Sequence, residues 1–321
     1  MNGSGAAAFL SVCMNPTFQK TLCFHGVSAG MVNRAFSQRL DVSGKGINVS
    51  RVLSQLGKKA VHLTHLGGDL RELFLRLCEK DGLDIRWVES GSGIRFCYTV
   101  ITGEGAGRTV TELVEEGDPV AGGTGDRLLA KYRELLPGSR AVIISGSKAQ
   151  GYDNELVPEM TRLAGEAGKP VTLDVRGSDL VKSLPFRPAL IKPNLFEFAE
   201  TFAPEFKSLG ELSGEEEGVK ERIRELALGL CAEYHTGIVL SRGGGSVWYF
   251  DESGMGECPV EKRIPVNTIG SGDAFSAGLS AALFEDGLPF AQAVAQGVHC
   301  GSLNAGFLKP GVIRDDMAPV S

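Results

Sequence analysis

Long apolar runs are missing from this 321-residue sequence: no stretch approaches the roughly 20 consecutive apolar residues that a membrane span needs. Basic residues do not dominate either. Lys and Arg number 33 against 39 Asp and Glu, and the formal net charge of −6 argues against nucleic acid as a main partner. The seven cysteines (Cys13, Cys23, Cys78, Cys97, Cys231, Cys258 and Cys300) are scattered, odd in number and never in C-x-x-C spacing. That usage excludes a disulfide framework or a zinc site and fits a reducing, cytoplasmic setting. Histidine is scarce, and one pair, His62 and His65, invites a metal reading. Val61–His65 reads as a strand, where an offset of three puts the two side chains on opposite faces, so both are expected to be structural. No G-x-x-x-x-G-K-[ST] loop and no protein-kinase motif set occurs, which argues against both of those classes. Met1–Ala8 has neither the basic residues nor the long apolar core of a signal peptide and reads as a frayed leader.

What is present is an ordinary globular composition, 42% hydrophobic and 22% charged, enough for one large α/β domain over residues 1–321. Strand-like runs at Ala8–Met14, Ala60–Leu66, Ala141–Ser145, Pro170–Asp174, Ala189–Lys192, Gly237–Ser241 and Val247–Phe250 alternate with helical patterns. The helices are expected at Gly46–Leu56, Leu70–Lys80, Asp126–Leu136, Glu155–Ala167, Glu216–Tyr234 and Ala274–Phe284, with the acidic Glu211–Glu217 as a solvated helix start. The alternation predicts a doubly wound, mainly parallel sheet with helices on both faces, and ligands beyond the carboxyl ends of its strands. Ser145, Asp174, Lys192, Asn194 and Ser241 all fall at or just past strand ends and should share one rim. Two segments break the rhythm. Phe18–Phe24 with Val32–Val42, and Arg95–Ile101 with Arg108–Val114, alternate apolar and polar residues around turns and read as antiparallel ribbons. As insertions at about 16–42 and 94–115 they would form a small β lid over the rim, and its exposed face is a reason to expect a homodimer.

The most informative string is Asn267-Thr268-Ile269-Gly270-Ser271-Gly272-Asp273-Ala274-Phe275-Ser276-Ala277-Gly278. It reads as a glycine turn opening a helix, so that successive free N–H groups converge where an anion can sit. Asp273 stands beside that point, placed to take a proton from an attacking hydroxyl. An Asp cap after a glycine turn is the plainer reading of the same residues.

The whole string resembles the C-terminal signature of the ribokinase/phosphofructokinase-B superfamily of sugar kinases. Further resemblances follow in the family's order. Asn15-Pro16 sits where hexose-phosphate members carry N-P-x-x-D, and Ser43-Gly44-Lys45-Gly46-Ile47-Asn48-Val49-Ser50-Arg51-Val52-Leu53 is similar to G-G-K-G-x-N-V-A-R-x-L. Ser145-Gly146-Ser147 resembles the middle S-G-S, Ile191-Lys192-Pro193-Asn194-Leu195-Phe196-Glu197 resembles K-P-N-x-x-E, and Ser241–Gly245 resembles the nucleotide loop S-L-G-x-x-G. The branch most like this chain holds 1-phosphofructokinase and tagatose-6-phosphate kinase.

The resemblance implies ATP-dependent phosphoryl transfer to a sugar phosphate, with Asp273 as base and Gly270, Ser271 and Gly272 as anion hole. It places Gly44, Lys45, Asn48, Arg95 and Ser145 on the substrate, with Arg95 on an existing phosphate, a bidentate task that suits a guanidinium. Lys192, Asn194, Ser241, Gly243, Gly245 and Asn304 would face ATP, and Glu197 would meet Mg2+, which keeps several waters and is often held indirectly. Asn194 and Glu197, three apart, would also make a plain helix cap with its box. One departure stands out: Gln19 replaces the family's sugar-binding acid and lacks its charge. A kinase of an unphosphorylated sugar or nucleoside, and a non-catalytic sugar-phosphate sensor, are the alternative expectations.

Overall fold

The structure, a computed structural model, describes residues 8–209 and 218–314. Residues 1–7 of the expected leader and the acidic stretch Glu211–Glu217 lie outside the described residues. In chain order the first elements are β1 (Ala8–Val12), β2 (Thr17–Phe24), β3 (Ser37–Ser43), α1 (Lys45–Gln55), β4 (Ala60–Leu66), α2 (Arg71–Lys80) and β5 (Asp84–Glu89). There follow β6 (Arg95–Thr102), β7 (Thr109–Val114), α3 (Thr124–Leu135), β8 (Ser139–Ser145), α4 (Leu156–Glu166), β9 (Val171–Asp174), α5 (Gly177–Ser183) and β10 (Leu190–Ile191). The remainder is α6 (Leu195–Phe202), α7 (Val219–Tyr234), β11 (Gly237–Arg242), β12 (Gly245–Asp251), β13 (Gly254–Cys258), α8 (Ser271–Phe284) and α9 (Phe290–Asn304).

Nine strands form one sheet in the order β13-β12-β11-β10-β9-β8-β1-β4-β5, parallel from β11 through β5 and closed at the other edge by the antiparallel β11–β12–β13 meander. β1 lies between β8 and β4, so the strand order reverses there and a crevice opens beyond its carboxyl end. Alternation along β1 shows both faces covered: Leu10 and Val12 pack with the α3–α7 side, Phe9 with α1 and α8. The helix α8 is buried from Asp273 through Ala282 because its small residues let neighbours close in. A Cβ on Gly278 would lie 2.6 Å from Cys300 Sγ on α9, and one on Gly297 of α9 would lie 2.2 Å from the Phe275 ring. This close packing fixes where the first turn of α8 points. His62 and His65 do face opposite ways. His62 Nδ1 meets Ser11 Oγ at 2.6 Å, His65 Nδ1 meets the Tyr152 hydroxyl at 2.8 Å, and burial lowers their pKa values to about 3 and about 4.

The lid is a four-stranded sheet in the order β3-β2-β6-β7. Both ribbons are antiparallel as expected, and they are joined along a parallel seam in which β2 pairs β6 from Thr17↔Arg95 to Phe24↔Thr102. Phe18 anchors the lid base, stacking on Phe96 at 5.1 Å and meeting Phe74 edge-on at 5.4 Å. The Val32–Val42 strand begins only at Ser37, because Asn33 closes the preceding loop through bonds to Ser28 and Met31. The sequence reading also gave no bounds for the edge strand β5, the glycine-bearing β13 and the helices α5, α6 and α9.

Candidate active site

Beyond the carboxyl ends of β1, β8, β9 and β10, and under the lid, lies a cleft of about 850 Å³. One wall is the start of α8. Its N-cap is Gly270, with φ 86°, and Asp273 stands three residues inside the helix, so the capping reading of Asp273 does not hold. The buried Asp273 carboxylate instead accepts a bond of 2.8 Å from Asn48 Nδ2. Burial, opposed by Lys45, pushes this carboxyl from 3.8 up to about 7. A proton acceptor near neutrality suits general-base work.

Two cations and one carboxylate face this wall. Asp174, at the end of β9, takes Lys45 Nζ at 3.2 Å and Lys192 Nζ at 3.4 Å, and Ser276 Oγ donates to it at 3.3 Å. Burial alone would raise the Asp174 pKa, but the two lysines more than offset it and hold the carboxylate ionised. Burial likewise works against the Lys45 charge, and Asp174, Glu197 and Asp273 overcome it. Lys192 also sits 5.6 Å from the Phe275 ring centroid. The sequence reading put Asp174 on the rim but gave it no role; a lone acid at a strand end carries no local signal of its two partners.

Lys45 opens α1 behind Gly44, the N-cap, whose φ of 114° calls for glycine and where a Cβ would lie 3.2 Å from Cys13 Sγ. Ser43 therefore ends β3 rather than capping α1; its Oγ donates to Asn48 Oδ1 at 3.3 Å. From the lid, Gln19 and Arg95 line the same cleft. Gln19 Nε2 donates to Thr99 Oγ1 at 2.7 Å. Arg95 Nη1 donates to the Glu115 carbonyl at 3.0 Å, while its Nε is buried with no partner among the described residues.

Asn194, Glu197 and Ser241 reach the cleft from β10–α6 and β11. Asn194 and Glu197 are at the same time a reciprocal capping box, with bonds of 2.7 and 3.0 Å. Among the described residues no group of three or more His, Cys, Asp or Glu could hold a metal ion. A hydrated ion carried on phosphates fits Glu197 as an outer partner.

Five expected residues sit off the cleft surface. Ser145 is fully buried with its Oγ unpartnered among the described residues, and Gly146 and Ser147 line the cleft instead, with Asn15 Nδ2 donating to Ser147 Oγ at 3.1 Å. Ser271 turns its hydroxyl into a buried position. Asn304 lies beneath the glycine turn, where Oδ1 accepts from Gly311 N at 3.1 Å. Gly243 lines neither described cavity, and Gly245 lines a separate one of about 450 Å³ beside Trp248. The Asn15, Ser147, Lys148 and Arg176 wall was missed; of these only Asn15 and Ser147 fell within quoted motifs.

Residues 13–312 match the model of the pfkB family carbohydrate kinases. Among solved structures, phosphofructokinase-2 from Escherichia coli, in complex with potassium, superposes with a TM-score of 0.82 at 19% identity, covering 97% of this chain and 96% of that one. A possible 1-phosphofructokinase from Thermotoga maritima gives 0.79 at 21% identity, covering 93% and 92%. Ribokinase from Arabidopsis thaliana, complexed with ribose and ATP, gives 0.70 at 15% identity, covering 96% and 95%. These similarities confirm the ribokinase-like fold.

Proposed function

We propose, from the premise that the chain belongs to the pfkB family of carbohydrate kinases, that it transfers the γ-phosphoryl group of ATP to a hydroxyl of a ketohexose monophosphate. The observation that carries the reading is the meeting of Asp273, the Gly270 turn, Lys45 and Lys192 with the lid residue Arg95 in one cleft. Asp273 takes the proton of the acceptor hydroxyl as its oxygen bonds the γ-phosphorus, and the bond from that phosphorus to the bridging oxygen breaks, releasing ADP. The N–H groups of Gly270 and Gly272 face the charge on the transferring group, that of Ser271 being turned to the Thr268 carbonyl at 3.2 Å, and the lysines neutralise the phosphate chain. Glu197 would meet a nucleotide-borne Mg2+ through water, and the ion would supply charge neutralisation. Asn194 and Ser241 border the nucleotide. Asn304 acts from beneath, by shaping the turn.

Arg95, with one buried N–H free among the described residues, favours a substrate that already carries a phosphate. The neutral Gln19, held by Thr99, leaves sugar hydroxyls a donor and an acceptor rather than a charge. ADP release measured over a panel of ketohexose phosphates, neutral sugars and nucleosides tests this. Turnover confined to phosphorylated ketohexoses is expected. Turnover of neutral sugars or nucleosides alone replaces the substrate class, and ligand-induced stabilisation without any turnover replaces the enzyme by a sensor.

The lid supports pairing with a second copy. Its hairpin end exposes Val27, Met31, Val32 and Phe36, and β7 exposes Leu113 and Val114. Phe36→Glu together with Leu113→Glu should convert a dimer to a monomer by light scattering; a monomer before substitution would end the idea. No helix among the described residues is long and apolar enough to cross a membrane, and the free cysteines fit a cytoplasmic setting.

A further inference from the structure

Arg51 has no surface exposure, yet every donor of its guanidinium is used. Nε and Nη2 donate to Asp81 Oδ2 at 3.1 and 2.8 Å, and Nη2 donates to the Val42 carbonyl at 2.9 Å. Nη1 donates to Asn48 Oδ1 at 2.9 Å and to the Pro310 carbonyl at 2.8 Å. The acceptors come from four places: the lid strand β3, the helix α1, the C-cap of α2 and the loop after α9. Burying a guanidinium is costly, and packing alone would be served by an apolar side chain. The geometry gives it another task.

An amide has two unlike ends. Asn48 Oδ1 receives Arg51 and also Ser43 Oγ, so its Nδ2 must face the other way, where it donates to Asp273. Turned over, Asn48 would set an oxygen against the carboxylate. None of Arg51's five bonds goes to Asp273, and its hydrogen-bonded link to that carboxylate runs through this amide. A second arm runs through Pro310. The Gly270 turn rests on Pro310 and Gly311: a Cβ on Gly270 would meet them at 2.9 and 3.0 Å. Gln55 Nε2 holds the same loop at the Gly311 carbonyl.

We propose that Arg51 is a positioning residue that fixes the Asn48 amide with its donor end toward Asp273 and braces the loop under the Gly270 turn. The proposal rests on reading Asp273 as the base. The groups that face Asp273 are Lys45 and Asn48 from α1, Asp174 from β9, Lys192 after β10 and Cys13 after β1. Arg51 bonds none of Lys45, Asp174, Lys192 and Cys13, so a shift in the Asp273 titration on replacing Arg51 without changing its charge is expected to report on the amide.

The test compares Arg51→Lys, which keeps the charge beside Asp81, and Arg51→Met, each alone and with Asn48→Ala. In folded variants the acid limb of kcat/KM should move up by about half to one pH unit. Turnover should fall ~10-fold with nucleotide affinity nearly unchanged, because a transition-state contact is lost rather than a ground-state one. With Asn48→Ala present, the shift of the acid limb should vanish, since the two residues act in series. Folded Arg51→Lys and Arg51→Met with an unmoved limb and unchanged turnover overturn the proposal, as does an equal limb shift in both backgrounds. If neither variant folds, the nitrogen resonances of Asn48 Nδ2 and Arg51 Nε in the unsubstituted protein decide. Both should move with the acid limb; an Arg51 signal that stays still while Asn48 titrates overturns it. The base reading fails separately, if Asp273→Asn keeps its turnover.

Discussion

Asp273→Asn should lower turnover by at least ~10² while ATP affinity stays within a few-fold, since the change removes proton acceptance and little else. The substituted side chain keeps an oxygen where Asn48 Nδ2 donates, and it lies inside α8 rather than at its cap, so no helix-capping bond is lost. A second readout separates a role in chemistry from a role in architecture. Burial raises this carboxyl from 3.8 to about 7, so between those values the folded chain holds more protons than the unfolded one. Stability therefore falls as pH rises through that window, and the ionised group is a burden on the fold above it. Asn carries no such burden. The variant should melt at or above the parent at pH 8, with the difference vanishing toward pH 4. Near-parental turnover would remove Asp273 from the mechanism; a lowered melting temperature at pH 8 would show the carboxylate to be a structural asset instead.

Gly270→Ala should be almost as damaging, by another route. The residue has φ 86°, and a Cβ there would lie 2.9 Å from Asn304 Oδ1 and from Pro310 Cβ, and 3.0 Å from Gly311 N. None of the three yields easily: Asn304 is bonded to Gly311, Arg51 holds Pro310, and Gln55 holds Gly311. The turn must move instead, carrying its N–H groups off the anion. Removing one such donor costs roughly 10²- to 10³-fold in turnover, and forcing a side chain into this conformation costs at least ~1 kcal/mol of stability. Steady-state rates beside a thermal melt will tell. A folded Gly270→Ala protein with parental turnover would dismiss the turn as an anion hole.

How much of this was readable in the chain depends on how local each cause is. The glycine turn before Asp273 declares itself, because close backbone approach and a helix start both leave marks within a few residues. Strands of the parallel core do so through their apolar runs; Ala60–Leu66 matches residue for residue. The lid ribbons follow from alternation, but their parallel seam does not, since no local pattern says that Thr17 faces Arg95. Ser145 shows the limit of motif matching: the motif lies at the end of β8, but the side chain that reaches the cleft is two residues on, at Ser147. The capping of α1 by Gly44 and the use of Arg51 depend on which loops arrive from afar. Asn194 and Glu197 form the helix cap and also line the cleft, where the expected ATP and Mg2+ roles would place them, and sequence alone had no means to see that the two positions are compatible.

The parallel seam of the lid also constrains the order in which the molecule can be built. Thr17 and Arg95 are neighbours across a separation of 78 residues. Bringing them together while the intervening chain is loose means closing a long loop, whose entropy must be overcome before any seam contact repays it. Folding β4, α2 and β5 onto β1 first shortens that search to two ends already held near each other. During synthesis β2 leaves the ribosome long before β6, so Phe18 and its strand wait with only β3 for company. The cover of the candidate site is thus best completed after β1, β4 and β5 have come together, although its first strand is among the earliest made.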